Sequence, residues 1–107
     1  MARLSLGTIV VPEGTMRGHR VSASRYVLLV RHRGVLHALD DLCNHAGCQL
    51  SRGRLEAGQV VCPCHLMAFD VSTGATRSIP RLCDDQPTFP VEERGGEVFV
   101  TLPDAAE

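Results

Sequence analysis

Apolar residues occur along the chain in short runs separated by glycine and proline. Residues 27–30 form a continuous aliphatic run and, with their flanks, predict a buried strand over Tyr26–His32. Residues 33–34 then predict a tight turn into a second strand at residues 35–39. This part of the chain therefore predicts a β-hairpin.

The second half of the chain shows the same organisation. We predict a strand at residues 67–71 with a turn at residues 72–74, and a hairpin whose strands, residues 89–93 and 97–102, flank residues 94–96. Ten glycines and six prolines interrupt the runs, and no segment keeps a helical period. The pattern predicts an all-β domain of short strands, a sandwich or a barrel.

The composition is that of an ordinary globular chain. Of its 107 residues, 44% are hydrophobic and 21% are charged, which predicts a single domain over residues 1–107. A formal net charge of −1 disfavours nucleic-acid binding, which requires a basic face. The N-terminus lacks the features of a signal peptide and no run could cross a membrane, so we expect a cytoplasmic protein without membrane contact.

Two short segments concentrate cysteine and histidine. Cys43 and His45 lie two positions apart. Cys62 and His65 lie three positions apart, and sixteen residues separate the two pairs. Such residues could hold structural zinc, although zinc fingers place both cysteines in one element and both histidines in another. The alternation of Cys and His fits a 2Fe–2S cluster in which two histidines replace two cysteines on one iron.

The stretch from residue 43 to residue 74 resembles the Rieske iron–sulfur motif, C-x-H, sixteen residues, C-x-x-H. The similarity extends to the strand before the first pair, the segment between the pairs, and the strand and turn after the second. These positions are Val35, Ala38, Leu39, Asp40, residues 50–53, Glu56, Phe69, Asp70, Thr73 and Gly74. The resemblance implies a small antiparallel β sandwich or barrel. Its two cluster-binding loops, at about residues 43–48 and 62–67, would lie at one end.

The resemblance also implies the ligand roles. Cys43 and Cys62 would bind the inner iron of the cluster, and two histidines, His45 and His65, would bind the outer iron near the surface. Imidazoles in place of thiolates make the cluster less negative and easier to reduce, so Rieske centres lie at roughly −150 to +300 mV.

The function implied by this resemblance is that of a ferredoxin, an electron carrier and not an enzyme. Its transient partners would be a flavoprotein reductase as donor and a terminal oxygenase, ring-hydroxylating or of another Rieske type, as acceptor. The oxygenases of this family add a large domain with a mononuclear iron, which 107 residues cannot hold.

Two further cysteines, Cys48 and Cys64, lie in the ligand loops without being predicted ligands. Their positions resemble those of the disulfide that joins the two loops in high-potential Rieske proteins, and we predict that bridge here. The alternative is a pair of buried thiols, which a reducing cytoplasm favours. Cys83 matches no motif, and we expect a buried or idle thiol.

The hydroxyl groups that raise the potential of the high-potential class are missing. The resemblance places them at Met67 and Phe69, whose side chains cannot donate hydrogen bonds near the cluster sulfurs. We therefore expect a potential in the lower part of the family's range. Leu66 stands where the family commonly has glycine. We expect Leu66, Met67 and Phe69 to surround the cluster and to form a docking rim.

Other polar residues match no motif. His19, His32 and His37 lack ligand partners nearby in sequence, so we expect them at the surface or on a strand face. Asp40 and Asp41 predict a solvated turn before the first loop.

Three other functions remain open at this point. The chain could be the small Rieske subunit of a larger reductase such as nitrite reductase, which stable co-purification with its partner would indicate. It could be a structural zinc module, which would be colourless. It could also be a redox sensor in which Cys48 and Cys64 form a switch.

Overall fold

The computed structural model describes residues 2–43, 48–64, 67–77 and 84–103. Within these residues the chain forms β-strands and a single 3₁₀ turn, Leu50–Arg52, with no α-helix. In chain order the strands are β1 (Ala2–Thr8), β2 (Met16–Arg20), β3 (Tyr26–His32), β4 (Val35–Asp40), β5 (Arg54–Glu56), β6 (Gln59–Val61), β7 (Ala68–Asp70), β8 (Thr88–Phe89), β9 (Val91–Arg94) and β10 (Glu97–Leu102). The prediction of an all-β fold is confirmed.

The strands form three antiparallel sheets. The first has the strand order β1-β10-β9, the second β2-β3-β4-β8, and the third β5-β6-β7. The second sheet is central, because its two faces contribute to two separate apolar cores.

The central strand β3 is buried on both faces, which explains the continuous aliphatic run at residues 27–30. Alternate residues of a strand point to opposite faces of the sheet. Val27 and Leu29 accordingly lie in the core shared with the first sheet, whereas Leu28 and Val30 lie in the core shared with the third. All four are fully buried.

The predicted hairpin between β3 and β4 is confirmed. Arg33 and Gly34 both have positive φ angles, 54° and 77°, as a two-residue type I′ turn requires. The register pairs His32 with Val35 and Val27 with Asp40. The hairpin therefore carries the chain from this turn to the opposite end of the sheet, where residue 43 begins the first ligand loop.

The strand predicted at residues 89–93 is divided in two at Pro90. Thr88–Phe89 pairs with β4 in the central sheet, and Val91–Arg94 pairs with β10 in the first sheet. Proline lacks an N–H group and commonly marks the end of a ladder. The chain thus crosses between the two sheets at this residue.

Four strands were not predicted, namely β1, β2, β5 and β6. β2 has the sequence MRGHR, and its register places it at the edge of the central sheet, where most of its residues are exposed. β5 and β6 are three residues each, too short to show a period. Pairing with neighbouring strands forms these three elements. β1, ARLSLGT, does alternate apolar and polar residues, so local alternation was a signal from which it could have been predicted.

Candidate metal centre

Two buried cysteines begin the two predicted ligand loops. Cys43 follows β4 and is 1% exposed, and Cys62 follows β6 and is 0% exposed. Both belong to the core on the third-sheet side of the central sheet. Neither takes part in the disulfide. The fold therefore brings two residues that are nineteen positions apart in sequence into one water-excluded region.

The two loops are closed by equivalent backbone hydrogen bonds. The N–H of Cys43 donates to the carbonyl of Cys48 at 2.8 Å, and the N–H of Cys62 donates to the carbonyl of Met67, also at 2.8 Å. In both loops the first residue is thus bonded to the sixth. Each cysteine stands at the base of a closed six-residue loop, so its backbone position does not depend on a ligand alone.

A disulfide between Cys48 and Cys64 joins the two loops, as the resemblance implies. Their Cα atoms lie 6.4 Å apart, and the bond spans 16 positions of sequence. It connects the closing residue of the first loop to the second, and so fixes the separation of the loops.

The remaining predicted residues of the site lie outside the described part of the chain. These are His45, His65 and Leu66, together with Cys83. Among the residues that are described, no group of three or more His, Cys, Asp or Glu side chains could hold a metal ion. The four-ligand assignment therefore stays a prediction.

Cys43 and Cys62, the two predicted ligands that the structure describes, fit a 2Fe–2S cluster. Thiolate is the donor that iron–sulfur clusters use, and two cysteines of the same core lie outside the disulfide. Their burial suits the inner iron of a Rieske centre, which is held away from water.

Met67 and Phe69 do not form an exposed docking rim, contrary to expectation. Met67 is 4% exposed and Phe69 is 0% exposed, and both pack in the core that contains Cys43 and Cys62. Phe69 belongs to β7, whose pairing with β6 turns its ring inward. These two side chains pack with the cysteines in the interior of the domain.

Asp41 is buried, and the prediction of a solvated turn at this residue is wrong. Its carboxylate accepts hydrogen bonds from the N–H and the hydroxyl of Ser51, both at 2.7 Å, and from Gln49 at 3.3 Å. Burial raises the pKa of Asp41, and the bonds from Ser51 oppose that rise. Asp41 thereby ties the chain just before Cys43 to the segment just after Cys48. No local pattern could have identified it, because its partners are eight and ten residues away.

Gln86 is a second buried polar residue that the sequence did not single out. Its side-chain amide donates to the carbonyls of Asp40 at 2.7 Å and Leu42 at 2.6 Å. Its backbone N–H donates to Gly74 at 2.7 Å. A Cβ atom at Gly74 would lie 2.0 Å from the Gln86 carbonyl oxygen, so only glycine allows this approach. Gln86 therefore anchors the segment before β8 against the base of the first ligand loop.

The three other histidines lie on the strands as expected. His19, His32 and His37 are partly exposed residues of β2, β3 and β4. Burial lowers the pKa of His37, which favours its neutral form. Across the described residues, no helix is long and apolar enough to span a membrane.

A curated relative covers almost the whole chain. It is the 3-phenylpropionate/cinnamic acid dioxygenase ferredoxin subunit of Escherichia coli strain K12. The two sequences are 35% identical over 96 residues, which is 89% of this chain and 88% of the relative.

Two solved structures show the same fold. One is a chain of the complex between reduced oxygenase and oxidized ferredoxin of carbazole 1,9a-dioxygenase, with a TM-score of 0.81 and 30% identity over 92% of this chain and 91% of that chain. The other is the ferredoxin of carbazole 1,9a-dioxygenase from Nocardioides aromaticivorans IC177, with a TM-score of 0.79 and 26% identity over 92% and 98%. The family model of the Rieske [2Fe-2S] domain matches residues 7–90, and this chain belongs to that family.

Proposed function

We propose that the chain is a one-electron carrier, a Rieske-type ferredoxin that passes electrons from a flavoprotein reductase to a terminal oxygenase. The acceptor would be a ring-hydroxylating or another Rieske-type oxygenase. The relatives that match over most of their own length are ferredoxin components of dioxygenase systems, and one of them was solved in complex with its oxygenase. Oxygenase chains also match, but this chain covers only 34% of one and 30% of another. The observation that carries the proposal is the pair of buried cysteines at the bases of two equivalent, disulfide-linked loops.

The family's cofactor is a 2Fe–2S cluster held by two cysteines and two histidines. We assign Cys43 and Cys62 as ligands of the inner iron, and His45 and His65 as ligands of the outer iron. The bound cluster supplies reversible one-electron chemistry. The spacing of the motif and the burial of both cysteines support this assignment.

The chain's own residues do three things for such a cofactor. The apolar core around the cysteines excludes water from the thiolates. The two loop-closing hydrogen bonds and the disulfide hold the loops at a fixed separation. A fixed separation limits the structural change on reduction, and so lowers the reorganisation energy of electron transfer. Asp41 and Gln86 hold the base of the first loop from two sides.

The location of the protein also belongs to the proposal. We infer a soluble cytoplasmic protein that meets its two redox partners transiently and uses neither nucleic acid nor membrane. The whole chain, residues 1–107, would then act as a single domain.

The test is the metal content and the electron paramagnetic resonance (EPR) spectrum of the purified, dithionite-reduced protein. We expect about two irons per chain and a Rieske-type signal. His45→Ala and His65→Ala should each abolish that signal. His37→Ala is the matched control, because this histidine lies on β4 away from the loops, and its signal should be unchanged.

Two results would contradict the proposal. A signal that survives in both ligand variants would exclude the ligand assignment, and a colourless protein containing zinc would favour a structural zinc module. Voltammetry provides a second measurement. A potential in the lower part of the range of roughly −150 to +300 mV fits a ferredoxin that feeds an oxygenase.

A further inference from the structure

Asp41 carries a carboxylate that is fully buried, in the stretch that leads from β4 into the first ligand loop. The N–H and the hydroxyl of Ser51 donate to its two oxygens at 2.7 Å each, and the side-chain amide of Gln49 donates to one of them at 3.3 Å. An ionised carboxylate accepts hydrogen bonds and donates none. Three donors directed at the two oxygens therefore suit the charged form of Asp41.

No cation compensates this charge among the residues that the structure describes. The ion pairs of that part of the chain involve other carboxylates, and the adjacent Asp40 is paired with Arg25 at 3.8 Å. Burial also reduces the screening of a charge by water and salt. The negative charge of Asp41 therefore acts strongly on the groups around it.

The carboxylate lies on the face of the central sheet that holds the two buried cysteines. Gly18 of β2 pairs with Leu28 of β3, and the side chain of Leu28 belongs to the cysteine-containing core. A Cβ atom at Gly18 would point to that same face and would lie 2.8 Å from Oδ2 of Asp41. The charge is thus placed at the border of the core in which the thiolates lie.

The backbone brings the same carboxylate close to Cys43. The N–H of Leu50 donates to the carbonyl of Asp41 at 2.6 Å. The N–H of Cys43 donates to the carbonyl of Cys48 at 2.8 Å, and the residues between these bonds form an antiparallel bridge. Residues 41 and 43 are alternate positions of this short ladder, so their side chains share a face and their Cα atoms lie about 7 Å apart.

We propose that Asp41 sets the reduction potential of the cluster, which its buried negative charge lowers. The proposal rests on the function proposed above and names a residue that tunes the same site. Reduction adds one negative charge, and a nearby anion disfavours that addition. Unit charges roughly 10 Å apart, at an effective dielectric constant of about 20, change the equilibrium constant of reduction about tenfold. A tenfold change corresponds to about 59 mV for one electron.

The first experiment measures the potential of the holoprotein by voltammetry at one fixed pH. Asp41→Asn removes the charge and keeps the shape, whereas Asp41→Ser removes the charge with a smaller side chain. Each variant should raise the equilibrium constant of reduction about tenfold, or about 59 mV, while keeping the Rieske-type EPR signal. The second neutral variant keeps the test available if the asparagine amide disturbs the fold.

Two control variants separate charge from structure. Ser51→Ala removes a hydrogen bond from the same network but leaves the charge, so it should not raise the potential. Glu13→Gln removes a carboxylate that accepts hydrogen bonds from the N–H groups of Arg33 and Gly34, both at 2.7 Å, at the end of the hairpin opposite the loops. Glu13→Gln should change the equilibrium constant of reduction less than about 1.5-fold.

Several outcomes would overturn the role of Asp41. One is an unchanged potential in both neutral variants. Others are a rise with Ser51→Ala or Glu13→Gln that equals the rise with Asp41→Asn, because the effect would then not depend on this charge. Loss of the cluster from both neutral variants would indicate a purely structural role. A wild-type protein without a Rieske signal would overturn the proposed function instead, so the two failures are distinguishable.

The second experiment repeats the voltammetry at low and high salt. The Debye length falls from about 30 Å at 0.01 M to about 3 Å at 1 M ionic strength, which suppresses the effect of exposed charges but not of buried ones. The ratio of the equilibrium constants for Asp41→Asn and wild type should therefore change less than about twofold between these conditions. A ratio that falls to one at high salt would overturn the proposal, because the charge would then act through solvent.

Discussion

The two faces of the central sheet carry cores of different character. The core toward the first sheet is built from hydrocarbon side chains alone: Leu6, Ile9, Val11, Val27, Leu29, Leu36, Ala38, Phe89, Val98, Val100 and Leu102. The core toward the third sheet contains Cys43, Cys62 and Met67, and the buried Asp41 and Gln86 support the loop at its border.

This difference shows how one small domain separates stability from chemistry. The first core needs only burial of apolar surface, which is non-directional and tolerates apolar substitutions that conserve volume. The second core must also position two cysteines and satisfy buried polar groups, which demands defined geometry. Strand β3 contributes alternate residues to both cores. Packing of the first core therefore also holds in place the strand that lines the second core, where the candidate metal site lies.

Removing one large side chain from each core is the strongest way to test this separation. Phe69→Ala should lower the free energy of unfolding by about 3–5 kcal/mol and Leu29→Ala by about 2–5 kcal/mol, because each leaves a cavity in a fully buried site. At temperatures where both variants remain folded, only Phe69→Ala should lose iron faster than the wild type. Denaturant unfolding and iron content over time measure the two effects. Equal iron loss in both variants would contradict the separation.

Removing the disulfide tests whether this bond stabilises the site at the second core. The bond spans 16 positions, for which loop-closure entropy gives about 3 kcal/mol of stabilisation. The double change Cys48→Ser and Cys64→Ser should therefore leave the cluster formed but shorten its lifetime in air and on heating. Cys83→Ser is the control, as it alters a cysteine outside this bond. A double variant with the lifetime of the control would show that the disulfide does not stabilise the site.

Replacing the buried carboxylate tests the polar border of the second core. Asp41→Asn places an amide N–H₂ or a single carbonyl opposite two donors of Ser51, so we expect a loss of about 1–3 kcal/mol in the free energy of unfolding. Hydrogen exchange of the Ser51 amide should accelerate. Glu56, which forms an exposed ion pair with Arg54, provides the control. Glu56→Gln should lower the free energy of unfolding by less than about 0.5 kcal/mol. Unchanged exchange at Ser51 would argue against this role of Asp41.

The smallest effect is expected from Asp70, at the end of β7. Hydrogen bonds from Ser72, Thr73 and Arg77 lower its pKa to about 2, with the Ser72 hydroxyl the largest cause. A lowered pKa stabilises the fold fully above the unfolded-state value of 3.8, and this contribution is lost as the pH falls toward 2. Asp70→Asn should therefore cost about 1–2 kcal/mol at pH 7, after allowance for partial exposure.

The pH dependence of the unfolding free energy tests this role of Asp70. The difference in unfolding free energy between Asp70→Asn and wild type should shrink steadily between pH 4 and pH 2. Glu92→Gln is the control, because that carboxylate is exposed in its ion pairs and screened by solvent. A difference for Asp70→Asn that stays constant with pH would mean that its effect is not electrostatic.

Predictions from sequence succeeded where local pattern and structure coincide. Tyr26–His32 was predicted with the observed bounds because a strand buried on both faces needs an unbroken apolar run. The hairpin at Arg33 and Gly34 followed from turn chemistry. Predictions failed where distant partners decide the environment, as for Asp41, which the sequence suggested to be solvated although it is buried and hydrogen-bonded to Ser51.

The sequence by itself determined the all-β architecture, the spacing of the cysteine and histidine pairs, and the family to which the chain belongs, because these depend on local period and on residue identity. Only the tertiary structure decided that Met67 and Phe69 face the interior, that Asp41 is buried, and that Gln86 anchors the first loop. Burial at these positions arises from pairing and packing between segments far apart in the chain, and a single sequence does not encode those contacts in any local pattern.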